Sequence, residues 1–232
     1  MTKNNQFIVI VGIVIVLLVG AFLFSRSGGL LSNAPPSLDR PTVFPADFAE
    51  NARTVYTENL AKIKESIETN PENTAAWLDL AIYYKMVNDY EGALEVWEYL
   101  VAKNPSDAIS LHNIAEYHFH TKKDYPAAER YYRKAIEANP SLSMNYSDLH
   151  EMYRYVYKQD TDSAIEILKE GISKVDVRGS IDLTTMLARY FEDKGDLPNA
   201  RTYYTQARDM AKGIKETQIM QQLDLEISRV SQ

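Results

Sequence analysis

His112, Glu116 and His120 are the residues whose types and spacing come nearest to chemistry in this chain. At i, i+4 and i+8 they share one face of a helix, and imidazole and carboxylate are both zinc ligands. Geometry argues against a metal: three ligands along one helix span ~12 Å, too far for one ion unless a second helix contributes. The stripe therefore reads as a polar surface. No His-Glu-x-x-His pair, phosphate-binding Gly-x-x-x-x-Gly-Lys-Ser/Thr loop, Gly-x-Gly-x-x-Gly turn or Gly-x-Ser-x-Gly elbow occurs. The absence of cysteine removes disulfides, thiolate metal sites and cysteine nucleophiles. With 32 Asp and Glu residues, carboxylate pairs at helical spacing are inevitable and ordinarily solvated. The expectation is no enzyme, no catalytic residue, no metal and no cofactor.

The formal net charge of -7 and a pI near 5.2 exclude a nucleic-acid binder that relies on a basic surface. The acid lies beyond residue 45, because the only charges before it are Lys3, Arg26, Asp39 and Arg40. Nothing in the sequence points to a small-molecule substrate.

The elements that position the stripe are helices in tandem. In Thr74–Asp107, Trp77, Leu80, Ala81 and Tyr84 fall on one helix face; Ala93, Trp97 and Leu100 do the same on a second, and Pro105 ends it. Trp-x2-Leu-Ala-x2-Tyr, then Ala-x3-Trp, then Pro, resembles the tetratricopeptide repeat (TPR), with Ala81 for the usual Gly and Trp97 for the usual Phe. A second copy carries Leu111, Ile114, Ala115 and His118, then Ala128, Tyr132 and Ala135, with one residue inserted in the Thr121–Lys123 turn. A third has Tyr146, Leu149, His150 and Tyr153, then Ala164, Leu168 and Gly171; a fourth has Leu187, Ala188 and Phe191, then Ala200, Tyr204 and Ala207. His150 stands where the repeat wants a small residue, and Gly171 costs its helix ~1 kcal/mol relative to Ala, so the third copy should pack least regularly. Asn-Pro closes the units at 70–71, 104–105 and 139–140. The sixteen tyrosines all lie beyond residue 45, many at repeat core positions.

The expected fold is an all-α TPR solenoid: a leading helix at 45–70, repeats at about 74–107, 108–142, 143–180 and 181–213, and a capping helix at 214–230 that covers the last apolar face. The resemblance implies a concave groove formed by the first helices, in which peptide or helical segments of partner proteins bind. Carried onto this sequence, its lining is Ile82 and Met86 in repeat one, His112, Asn113, Glu116, Phe119 and His120 in repeat two, Asp148, Glu151 and Arg154 in repeat three and Arg189 in repeat four. One TPR subfamily binds chaperone tails through a carboxylate clamp of Lys, Asn and Arg. Asn113 matches its asparagine, but Leu78, Ile82, Met144 and Asp148 stand at the other clamp positions, so that activity is not implied. Ile82, Met86 and Phe119 instead suggest an apolar strip bordered by acid, suited to an amphipathic partner.

Ahead of the array, residues 7–24 run FIVIVGIVIVLLVGAFLF without a charge. A helix of that length spans ~27 Å, enough for a single pass through the hydrocarbon core. A cleaved signal peptide is the rival reading, but its apolar core is ordinarily ~7–15 residues, and Pro35 follows the tempting Ser32-Asn33-Ala34 site. Residues 1–6 form a short tail, expected in the cytoplasm with the array outside it, although Lys3 and Arg26 balance across the span. Residues 25–44, with a Gly pair, Pro35-Pro36 and Pro41, read as a flexible linker reaching roughly 25 Å. The whole reads as a membrane-anchored protein-interaction scaffold. The alternative is an accessory subunit or assembly factor built into a membrane complex of secretion, cytochrome maturation or envelope assembly; Gly12 and Gly20 on one helix face hint at helix packing.

Overall fold

The computed structural model describes residues 34–159 and 161–231; the expected tail and membrane segment lie outside the described residues. Ten α-helices follow one another: α1 (Glu50–Thr69), α2 (Thr74–Met86), α3 (Tyr90–Lys103), α4 (Ala108–Glu116), α5 (Tyr125–Ala138), α6 (Ser143–Tyr155), α7 (Ser163–Ile172), α8 (Val177–Asp193), α9 (Leu197–Gly213) and α10 (Thr217–Arg229). Among the described residues none is long and apolar enough to cross a membrane. Pairs α2–α3, α4–α5, α6–α7 and α8–α9 stack as consecutive antiparallel hairpins, with α1 before and α10 after. One apolar core runs from Tyr56 to Tyr190, and a second, from Ile181 to Val230, joins α8, α9 and α10; Phe191 and Tyr203 touch both.

Local chemistry sets the period. Each Asn-Pro is a turn in which the Asn carboxamide accepts the amide two residues on: Asn70 from Glu72 at 3.2 Å, Asn104 from Ser106 at 3.1 Å, Asn139 from Ser141 at 3.1 Å. Asp89, Asp124 and Asp196 cap α3, α5 and α9, accepting from the amides of Gly92, Ala127 and Asn199. Asn88, Lys123, Lys158 and Gly195, one in each hairpin turn, take the left-handed conformation that lets the chain reverse. The third hairpin is the exception: Leu142 and Asp162 precede α6 and α7 without a side-chain cap.

Four expectations are corrected. The leading helix starts at Glu50 rather than 45, because Pro45–Phe48 closes as a turn (Phe48 N–H to Pro45 O, 3.0 Å) that sets Phe44 and Phe48 edge-on against Tyr56. The last described part of the linker is docked: Arg40 makes a fork to Asp89 (2.5 and 2.9 Å) and reaches Glu95 at 3.0 Å, and Leu38 and Phe44 pack on the core. The inserted residue of repeat two is taken up by the end of α4 rather than by a Thr121–Lys123 turn. It widens the end of α4 into a π-helical stretch, Tyr117–Lys122, so that the Asp124 amide bonds His118 O six residues back, where Asp89 bonds Tyr84 O five back. The capping helix starts at Thr217 rather than 214, after Lys215 takes the left-handed turn; Leu223 and Val230 are its buried anchors.

His150 and Gly171 fit rather than disturb repeat three. His150 is buried and its Nδ1 donates to Ala164 O at 2.7 Å, filling the space a small residue would leave. A Cβ on Gly171 would stand 2.7 Å from Tyr146 Cγ and 2.6 Å from Leu183 Cδ1, so the missing side chain admits both neighbours.

Candidate functional site

The first helices α2, α4, α6 and α8 lie side by side, and polar contacts tie neighbours together. His112 on α4 meets Asn145 and Asp148 on α6; Arg154 on α6 pairs with Asp193 on α8; Arg229 on α10 pairs with Glu192 on α8. The tyrosines are core rings whose hydroxyls reach carboxylates at the edge: Tyr132 donates to Glu116, Tyr153 to Glu129 at 2.5 Å and Tyr204 to Glu192 at 2.8 Å.

This arrangement redistributes the expected groove residues. Ile82, Met86, His120, Glu151 and Arg189 are exposed, and Asn113, Glu116 and Phe119 are half-buried. Phe119 leans back on Tyr125 of its own repeat, with ring centroids 6.1 Å apart, so the apolar strip is carried by Ile82 and Met86. The π turn that ends α4 holds Phe119, which explains its departure from the α-helical direction. Arg154 is engaged with Asp193 and lies over the rings of Tyr155 and Tyr190, a structural clasp rather than a free cation. Arg189 lines a cleft of about 240 Å³ between α8 and α10 with Asp182, Ile219 and Glu226.

The densest chemistry lies where repeats two and three meet. His112, only 7 % exposed, donates from Nδ1 to Asn145 Oδ1 at 2.9 Å, which leaves Nε2 facing Asp148 Oδ2 at 3.7 Å. Burial disfavours the charged ring and lowers the His112 pKa; the same burial, with the charges of Glu116 and Glu151, raises the Asp148 carboxyl to about 7. Burial, then the Glu116 charge and hydrogen bond, pushes Tyr132 far above its usual range, so the phenol is a fixed donor. His120 stays outside this cluster, exposed, with Nε2 3.4 Å from Glu116 Oε1. The sequence stripe is thus regrouped: ligand atoms of His112, Glu116 and Asp148 lie within 4.8 Å of one another, and Asp148 on α6 is the contribution from a second helix that one helix lacked. The repeat register places Asp148 in the groove and Tyr132 in the core; Asn145 is the residue that sequence reasoning missed, and its one signal is polarity among apolar repeat positions.

Residues 78–143 match the tetratricopeptide repeat family. No curated protein matches the chain. Among solved structures, one of MamA superposes with a TM-score of 0.53 at 20% identity, covering 75% of this chain and 99% of that one. A second MamA structure gives 0.52 at 21% identity, covering 72% and 90%. The structure of PilW, described as a widely conserved type IV pilus biogenesis factor, gives 0.50 at 18% identity, covering 77% and 87%. At such identities the likeness is one of fold. Residues 78–143 match the tetratricopeptide repeat model, and the described residues form an all-α solenoid of TPR-like fold.

Proposed function

We propose that this chain is a membrane-anchored protein-interaction scaffold, and that a peptide or helical segment of a partner lies along the first helices between Ile82 and Arg189. The observation that carries the reading is the composition of that face. Ile82 and Met86 are about half exposed at one end, and Glu116, Asp148 and Glu151 follow along it with no lysine or arginine paired to them among the described residues. An amphipathic segment with positive charge complements such a strip. Residues 7–24 supply the proposed anchor, with the amino terminus in the cytoplasm and the array outside. Because Leu38 and Arg40 are docked, at most the thirteen residues 25–37 separate anchor and array, a fully extended reach of ~45 Å. The scaffold is therefore held close to the bilayer, where confinement raises its effective concentration for membrane partners.

Site-specific photocrosslinking in cells tests this. A crosslinker at Ile82 or Glu151 should capture the same discrete partner, and one at Arg130 or Lys134 on the second-helix face should not. Equal capture from both faces, or loss of capture only when residues 1–44 are removed, would reject the groove and favour an accessory subunit held through its membrane segment.

A further inference from the structure

Three lone-pair acceptors from two repeats converge on one point. His112 Nε2, a Glu116 carboxylate oxygen and an Asp148 carboxylate oxygen lie within 4.8 Å of one another, against ~3.3 Å between ligands at a tetrahedral zinc, a closure within the swing of two half-buried carboxylates. Two of the three are held from behind. Asn145 takes the Nδ1 proton of His112 and fixes the tautomer that presents Nε2. Tyr132 donates to Glu116 Oε1, while the single Ser147 hydroxyl proton goes to Met144 O at 2.9 Å, with Asp148 Oδ1 a longer contact at 3.3 Å. Such outer contacts orient metal ligands. Asn145 has no exposed surface, and its amide nitrogen lacks a hydrogen-bond partner, so the cluster carries an unused buried donor as well. Neither carboxylate is paired with lysine or arginine among the described residues; the ammonium of Lys85, which His112 senses, lies over the Trp97 ring at 5.7 Å. One imidazole and two carboxylates without a basic partner are donor types that small divalent ions take.

We infer that His112, Glu116 and Asp148 form a zinc site across the junction of repeats two and three, with a coordination position left for water or a partner side chain. The ligand set, one nitrogen and two oxygens, suits zinc better than the all-oxygen cages of calcium or magnesium. Bound there, the ion joins α4 to α6 and neutralises the two carboxylates at the middle of the groove. The inference does not depend on a partner binding there.

Zinc alone, titrated calorimetrically into the full-length chain in mild detergent at pH 7.5, should bind at one ion per chain. Asp148→Asn and Glu116→Gln should each weaken it by at least about tenfold with the circular dichroism unchanged. His120→Gln should leave it as it was, and cobalt in place of zinc should give the visible absorption of a four-coordinate ion, lost in Asp148→Asn. No saturable binding overturns the inference. So does binding that survives both carboxylate substitutions, or that depends on His120 and not on Asp148.

Discussion

Replacing Gly171 with alanine separates two opposed effects. Gly171 is the penultimate residue of α7, where helix propensity favours alanine by at most ~1 kcal/mol. Its Cβ, however, would fall 2.6 Å from Leu183 Cδ1 and 2.7 Å from Tyr146 Cγ, well inside van der Waals contact. Neither neighbour can yield cheaply. Tyr146 has no exposed surface and its hydroxyl donates to Pro140 O at 3.0 Å; Leu183, buried on α8, belongs to the next repeat. Forcing one methyl into such a contact costs ~1–3 kcal/mol. The close approach outweighs propensity, and the net expectation is a loss of about 1 kcal/mol, or ~2–4 °C in Tm for a domain of this size.

The comparison is Gly213→Ala, at the end of α9, where an added Cβ meets nothing within 4 Å; it should leave Tm unchanged or raised. Thermal melts by circular dichroism read both, and amide exchange should localise the Gly171→Ala loss to α6, α7 and α8, because stability in a repeat array is a sum of local terms. A Gly171→Ala protein as stable as the parent would refute the close-approach argument and leave the glycine as a plain propensity defect.

Arg40→Ala should release residues 38–48 from the array and speed their amide exchange by about tenfold, since a partly buried, charge-assisted fork is worth ~1–2 kcal/mol; unchanged protection would mean that Phe44 and Phe48 alone hold the segment. In the metal-free protein, His118 and His150 have pKa values lowered by burial, so the unfolded chain binds protons that the folded one does not. Stability from these groups is complete above the unfolded value of ~6.5 and is lost as pH falls below it, by up to ~1.4 kcal/mol per pH unit for each. Denaturant midpoints between pH 7.5 and 5 should fall less steeply for His150→Gln than for the parent, a comparison in which the opposite contribution of Asp148 cancels; parallel profiles would refute it.

The architecture was readable because the repeat repeats. Ala93, Ala128, Ala164 and Ala200 are all fully or nearly fully buried, and each marks the place where a second helix crosses its partner. A single such alanine carries no information, but four at nearly equal spacing do. What stayed hidden were consequences of side-chain reach. Arg40, in a stretch rich in proline, finds Asp89 across 49 positions of sequence, and Gly92 leaves the room for it. The inserted residue between His118 and Asp124 was visible as a count, whereas its absorption as a π stretch depends on how Tyr117 and His118 pack, against Glu91 and Tyr131. The grouping of His112 with Asp148 stayed hidden for a similar reason: it is set by the superhelical stagger between repeats, which periodicity does not encode.

The junction of repeats two and three breaks more local rules than its neighbours. A histidine and two carboxylates converge there, a buried carboxamide nitrogen has no partner, the helix that carries His112 ends in a π stretch, and the next hairpin begins without caps. In a solenoid each such departure is felt mainly by adjacent repeats, so they sum at one place instead of averaging over the chain. The packed side of the same junction is well made: Tyr132, Tyr146, Leu149 and Ile114 have no exposed surface. Stability is therefore kept in the apolar layer and given up on the face that the first helices present. Sequences that break local rules while keeping the core intact do so where the surface has a task. The proposed partner strip and the inferred ion site both draw on the polar cluster of that face, with Ile82 and Met86 beside it.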